Sequence, residues 1–180
     1  MEENIMTKKS QGIVAKIVVP ILIILAIGVI WHVKNLGKSP AATSDNPDFS
    51  LHVTEKIDLE KLKSYGLPII LDFGADYCLP CLEMAPVIEK LNKDLQGKAI
   101  IKYIDVEKYP EFTVDYPVMV IPTQIFFDKE GKPYTPSDSM ALQMNMYSLK
   151  STNEHVFTTH EGIMTEEQLL AILKEMGMKE

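Results

Sequence analysis

Two cysteines stand three positions apart in Cys78-Leu79-Pro80-Cys81, and they are the only two in the 180 residues. Thiols at this spacing can hold a metal or shuttle between dithiol and disulfide, and their surroundings favour the second. Pro68 to Phe73 (PIILDF) has the continuous apolar character of a strand buried on both faces. From Cys81 to Leu95, apolar residues recur at helical spacing as Leu82, Ala85, Ile88, Leu91 and Leu95. A cysteine at a helix start meets the positive end of the backbone dipole and free N–H groups, which stabilise its thiolate and make it the nucleophile. Two intervening residues carry the second sulfur one turn in, close enough for a disulfide. Pro80 is tolerated because a first-turn N–H has no intrahelical partner.

The competing readings are weaker. Structural zinc needs four ligands. His155 and His160 form an H-x4-H pair, but it begins 74 positions beyond Cys81. Covalent haem attachment needs His directly after the second Cys, and position 82 is Leu. An inert disulfide or a pair of packed thiols stays open. Asp72 lies six residues before Cys78 inside the apolar run. A carboxylate there is costly unless it has a partner or a role, and burial should raise its pKa. The alternative is a solvated carboxylate at a strand end.

The elements that must position these groups can be read around them. Leu51 to Thr54 suggests a short edge strand. Asp58 to Tyr65 reads as a helix with Asp58 as N-cap and Gly66 as stop. Gly97 ends the helix that follows the cysteines, and Pro86 should kink it. Ala99 to Val106 is a strand, Lys108 to Tyr116 a short helix, and Thr123 to Phe127 a strand. Asp128 to Gly131 reads as a hairpin turn with Glu154 to Thr158 returning. Thr165 to Met176 is an amphipathic helix with Thr165 and Gln168 in capping-box positions. This order predicts an α/β fold, a mixed sheet covered by helices on both faces.

The run from Leu71 to Pro86 (LDFGADYCLPCLEMAP), then Ile121-Pro122-Thr123, then FFDKEG and a last helix, resembles the thioredoxin family over residues 50–180. The resemblance implies a thioredoxin-like fold and thiol–disulfide exchange: Cys78 attacks a substrate disulfide and Cys81 resolves the mixed disulfide. It implies that Asp72 helps to deprotonate Cys81. It also implies that Pro122 is a cis-proline beside the disulfide, presenting a backbone edge to substrate. Substrate contact falls by the same resemblance to Tyr77, Leu79, Pro80, Ile121 and Thr123. No cofactor or metal is implied beyond the cysteine pair.

The sequence departs from the family pattern at several points. Leu79 replaces the usual glycine of the dipeptide, Gly74 an aromatic residue, and Tyr77 a tryptophan. The lysine that often faces the buried acid has no clear match, since Lys102 falls one position out of register. Between Gly131 and Gly162 lie 30 residues where relatives need only a short turn. This insertion, about 133–158, includes Met140, Met144, Met146 and Tyr147; it is either plain packing or a partner surface. Only 17 positions separate Asp105 from Pro122, too few for the helical insert of DsbA-type oxidases. Gly97 leads straight to Ala99, without the β-α unit that cytochrome-maturation relatives insert there.

The first 49 residues are of another kind. Ile13 to Val33 gives 21 residues interrupted only by Lys16, enough at about 1.5 Å per residue to cross a hydrocarbon core of ~30 Å. A cleaved signal peptide and a buried core helix compete with an anchor, but the run is long and apolar on every face. The expected division is a cytoplasmic tail (1–12), a transmembrane anchor (13–33), a linker (34–49) and a thioredoxin-like domain (50–180). Lys8, Lys9 and Lys16 before the uncharged stretch from Ile17 to Val33, against Lys34 and Lys38 after it, favour the N-terminus inside. The domain then sits outside a plasma membrane. All 18 cations are Lys against 25 acids, and this deficit of positive charge argues against nucleic acid.

The resulting expectation is a single-pass, extracytoplasmic disulfide reductase. Its substrates would be exported disulfide-containing proteins or apocytochrome c. The resemblance implies re-reduction by a membrane thiol transporter of the CcdA or DsbD type. An oxidase or isomerase, or a binding module without turnover, is the alternative.

Overall fold

The computed structural model describes residues 46–137 and 143–179. The expected tail, anchor and most of the linker lie outside the described residues. Among those described, no helix is long and apolar enough to cross a membrane.

Five strands form one sheet: β1 (Ile69–Gly74), β2 (Ile100–Asp105), β3 (Thr123–Phe127), β4 (Asn145–Ser148) and β5 (His155–Glu161). Their spatial order is β2-β1-β3-β5-β4. β1 and β2 run parallel, and every other pair is antiparallel. The helices are α1 (Leu59–Lys63), α2 (Leu79–Asp94) and α3 (Glu166–Glu175). β1 is buried along its whole length because both faces of the sheet are covered there.

Alternation along the strands separates two cores. On one face Ile70, Ile101 and Phe126 pack against Met84, Ile88 and Leu91 of α2 and Leu169, Ile172 and Leu173 of α3. On the other, Ile69, Leu71, Phe73, Ile100, Ile104 and Ile125 pack against Leu62, Tyr65, Phe49 and Val53. Asp58 caps α1, accepting the Lys61 N–H at 3.0 Å. Thr165 and Gln168 close the capping box of α3.

Several expectations are corrected. The anticipated strand at Leu51 reduces to one bridge, His52 with Tyr103. The expected linker end at residue 49 lies inside the packed domain. Asn46 caps a 3₁₀ turn over Pro47–Phe49, and the Phe49 ring meets Tyr65 edge-on at 5.0 Å. The expected helix over 108–116 is only a 3₁₀ turn at Pro110–Phe112 without a side-chain cap. Its aromatic residues are held sideways instead: Phe112 stacks on Tyr109, and Tyr116 packs on Phe73. The Asp128 turn returns only as far as Pro133, and β5 reaches β3 later, pairing Thr159–Glu161 with Thr123–Ile125. The insertion packs Tyr134 and Met144 into the core and adds the unpredicted strand β4, where Met146 is exposed. Met140 lies outside the described residues.

Candidate active site

β1 delivers the chain to the site. After Gly74 the backbone turns through Ala75–Tyr77, and the Cys78 N–H donates to the Ala75 carbonyl at 3.1 Å. Cys78 is the N-cap of α2, so the helix starts at Leu79, two residues before the apolar spacing that begins at Cys81. The Cys78 sulfur accepts the Cys81 backbone N–H at 3.3 Å, filling one of the free donors of the first turn. Pro80 sits in that turn, where its missing N–H leaves nothing unpaired. Cys78 and Cys81 are joined as a disulfide, with their Cα atoms 5.2 Å apart.

Both sulfurs are nearly covered, packed with Ala75 against Val106 and Ile121. Around them the surface is apolar and open: Tyr77, Leu79 and Leu82 are 67%, 72% and 50% exposed. Helical spacing alone puts Leu82 in the core. The buried stripe of α2 instead runs Cys81, Met84, Ile88, Leu91, and Leu82 falls beside it. The Ile121–Pro122 peptide is cis, as the family resemblance implied. Met119 and Val120, just before it, add to the exposed apolar surface. Thr123 does not belong to that rim. It is fully buried, and its hydroxyl donates to the Val120 carbonyl at 2.7 Å.

Asp72 lies in the middle of β1, 3% exposed. Its Oδ1 accepts a hydrogen bond from the Gln124 amide at 2.9 Å. Burial pushes its carboxyl up to about 6, against the opposing pull of that bond. Lys102 does not face it: its register partner is Leu71, so it projects from the opposite face. There its ammonium donates to the carbonyls of Pro47 and Ser50 at 2.8 and 2.7 Å, and burial pulls its pKa down to about 8. The residue paired with Asp72 on β2 is Tyr103. Burial, then the charges of Asp105, Asp72 and Asp76, lift its phenol to about 12.

Gly74 makes room for that ring. A Cβ there would lie 2.9 Å from the Tyr103 ring and 3.2 Å from the Cys81 sulfur. The loop before Cys78 is anchored by charge. Lys108 bridges Asp76 and Asp105, while Asp105 also accepts the backbone N–H groups of Glu107 and Lys108.

His155 and His160 do not form a metal site. His155 Nε2 meets the Phe157 carbonyl and the Thr158 hydroxyl at 3.0 and 2.8 Å. His160 Nδ1 lies 3.0 Å from Gln124 Oε1. Burial pulls the His160 imidazole down, against the pull of Glu161 and the Gly162 backbone. Among the described residues no three His, Cys, Asp or Glu side chains gather as metal ligands. Sequence reasoning missed Tyr103 and Gln124, and weighed His160 only as a zinc ligand. Gln124 carried a signal, a polar residue in the buried run TQIFF, the same anomaly that singled out Asp72.

The thioredoxin family model matches residues 51–148, more than half of the chain. The chain is 35% identical to the thioredoxin of Rickettsia bellii over 81 residues, which span 45% of this chain and 76% of that one. It is 41% identical to a Staphylococcus aureus thioredoxin over 78 residues, 40% of this chain and 74% of that one. In fold it is similar to a mutant thioredoxin from Halobacterium salinarum, with a TM-score of 0.51 at 22% identity, covering 77% of this chain and 99% of that one. That family needs no cofactor beyond its redox-active cysteines. With the Cys78–Cys81 disulfide capping α2 and the cis Pro122 peptide already in place, these matches settle the assignment: the chain belongs to the thioredoxin family, as a thiol–disulfide oxidoreductase.

Proposed function

We propose that the protein is a membrane-anchored, extracytoplasmic disulfide reductase. The observation that carries the chemistry is the cysteine pair at the start of α2, with its covered sulfurs inside an open apolar rim. The reduced dithiol would act as follows. The Cys78 thiolate attacks one sulfur of a substrate disulfide and expels the other as a thiolate. The Asp72 carboxylate takes the proton of the Cys81 thiol, and the Cys81 thiolate attacks the Cys78 sulfur. The second substrate thiolate leaves, the Cys78–Cys81 disulfide forms, and two electrons have passed to the substrate. A carboxyl lifted to about 6 suits this step, being largely ionised at neutral pH yet basic enough to accept a proton. The apolar rim of Tyr77, Leu79 and Ile121 suits protein substrates, in keeping with exported disulfide proteins or apocytochrome c.

The anchored placement rests on the apolar run 13–33. A reductase outside the cytoplasm needs a membrane dithiol donor of the CcdA or DsbD type, which would return two electrons to the disulfide. The reduction potential of Cys78–Cys81, set against dithiol buffers, tests the direction. A value close to thioredoxin's, about −270 mV, is expected, whereas roughly −120 to −180 mV would make the protein an oxidant or isomerase.

A further inference from the structure

Asp72, Gln124 and His160 stand in one row across three neighbouring strands. Asp72 is the register partner of Gln124, and Gln124 is the register partner of His160, so all three project from the same face. The row is hydrogen-bonded from end to end, at 2.9 Å from Gln124 Nε2 to Asp72 Oδ1 and 3.0 Å between Gln124 Oε1 and His160 Nδ1. All three are buried, Gln124 completely.

The chemistry of an amide fixes the direction of the row. A primary amide has one donor end and one acceptor end. Turned the other way, Gln124 would press its oxygen against the carboxylate, acceptor to acceptor. With the carboxyl ionised, its oxygen therefore faces His160, and the Nδ1–H tautomer of the imidazole donates to it. Met84 of α2 closes the remaining side, its sulfur 3.5 Å from the same amide nitrogen. A fully buried glutamine is costly unless both its ends are paired, and here each end has one specific partner.

We propose that Gln124 and His160 are positioning residues for the buried carboxylate: the histidine locks the amide, and the locked amide holds Asp72 in its ionised, proton-accepting form. The proposal rests on the reading of Asp72 as the base for Cys81. The other titratable groups around the row are Tyr103, which faces Asp72 from β2, and Glu161, beside His160 on β5. Neither sits between the three members. Removing the amide leaves burial unopposed and drives the carboxyl further up, so that it stays protonated where it should act as a base.

The test uses the full chain, with aspartate carboxyl carbons labelled for NMR titration and with the pH profile of thiol–disulfide exchange. Gln124→Met should raise the Asp72 midpoint by about one pH unit, a tenfold change in proton affinity. The rising limb of the exchange profile should move up with it. His160→Leu should shift both in the same direction by less, and His160→Asn, which restores an N–H donor, should recover much of the shift. An Asp72 midpoint unmoved in Gln124→Met would overturn the proposal. Should that variant not fold, equal midpoints in His160→Leu and wild type would overturn it instead. Asp72→Asn separates the two readings. If it leaves the exchange profile intact, Asp72 is not the base, whereas the NMR midpoints still report the row.

Discussion

Replacing Asp72 by Asn should make the protein more stable and less active, and the gain in stability should depend on pH in a way fixed by one carboxyl. Asn keeps the shape of the side chain and an oxygen that can accept the Gln124 hydrogen bond. In the unfolded chain Asp72 titrates near 3.8, and in the fold burial lifts it to about 6. Below the lower value it is protonated in both states and costs nothing. As pH rises between the two values, the unfolded chain gives up the proton while the fold keeps it, and stability falls by about 1.36 kcal/mol per pH unit. Across a gap of about two units the loss comes to roughly 3 kcal/mol, complete once pH exceeds the folded pKa. The Asn variant lacks this loss. Denaturant unfolding of the oxidised full chain, followed by far-UV circular dichroism, should therefore give near-equal stabilities at pH 4. At pH 7.5 the variant should lead by roughly 3 kcal/mol. Taking the difference between the two proteins removes the contributions of the other carboxylates. A difference that is the same at both pH values, or an Asn variant weaker at pH 7.5, would refute the reasoning. The same substitution should slow exchange at neutral pH, a site kept active at the expense of stability.

Three other outcomes are expected. Cys81→Ala should leave Cys78 able to attack but unable to let go, so mixed disulfides accumulate on non-reducing gels, and Cys78→Ala should abolish them; trapping by Cys78→Ala and none by Cys81→Ala would reverse the assigned roles. Gly74→Ala should cost about 1–3 kcal/mol, because its Cβ lies 2.9 Å from the Tyr103 ring. In a double-mutant cycle the added Tyr103→Leu should return part of that cost, and strictly additive effects would rule out the contact. Burial raises the Asp105 carboxyl, but Lys108 and the backbone N–H groups of Lys108 and Glu107 outweigh it and hold the pKa low. Its stabilising contribution is thus present above the ordinary carboxylate pKa and is lost as pH falls through the folded value. Asp105→Asn should cost about 1–3 kcal/mol at pH 7, with the deficit shrinking in acid.

What could be read from the sequence was whatever neighbouring residues encode. β1 and β3 announced themselves as short apolar runs, and α3 by its capping box. The cysteine pair was legible because strand, motif and helix follow one another without interruption. β4 was not, since Asn145–Ser148 is exposed at three of its four positions and offers no apolar face to detect. Leu82 and Met84 both fit a helical stripe, and only the starting phase of α2 at Cys78 decides which of them is buried. The Asp72–Gln124–His160 row depends on the register of three strands distant in the chain, which no local pattern contains. Lys102 shows the same limit from the other side. One residue of register turns it to the opposite face from the acid and into the carbonyls of Pro47 and Ser50.

Strand β4 gives the insertion a task of its own. Without β4, the strand bearing His160 would be the border of the sheet, with a bare row of peptide groups drawing in solvent. With β4 in place, β5 is an interior strand, and Met144 plugs the core where the added strand begins. The added segment thus takes over the border. It gives the backbone of β5 a paired neighbour as far as Thr159, one residue short of His160. Trimming residues 133–154 to the tight turn of a shorter relative would leave the cysteines untouched, yet it would bare the edge of β5 and take Tyr134 and Met144 out of the core.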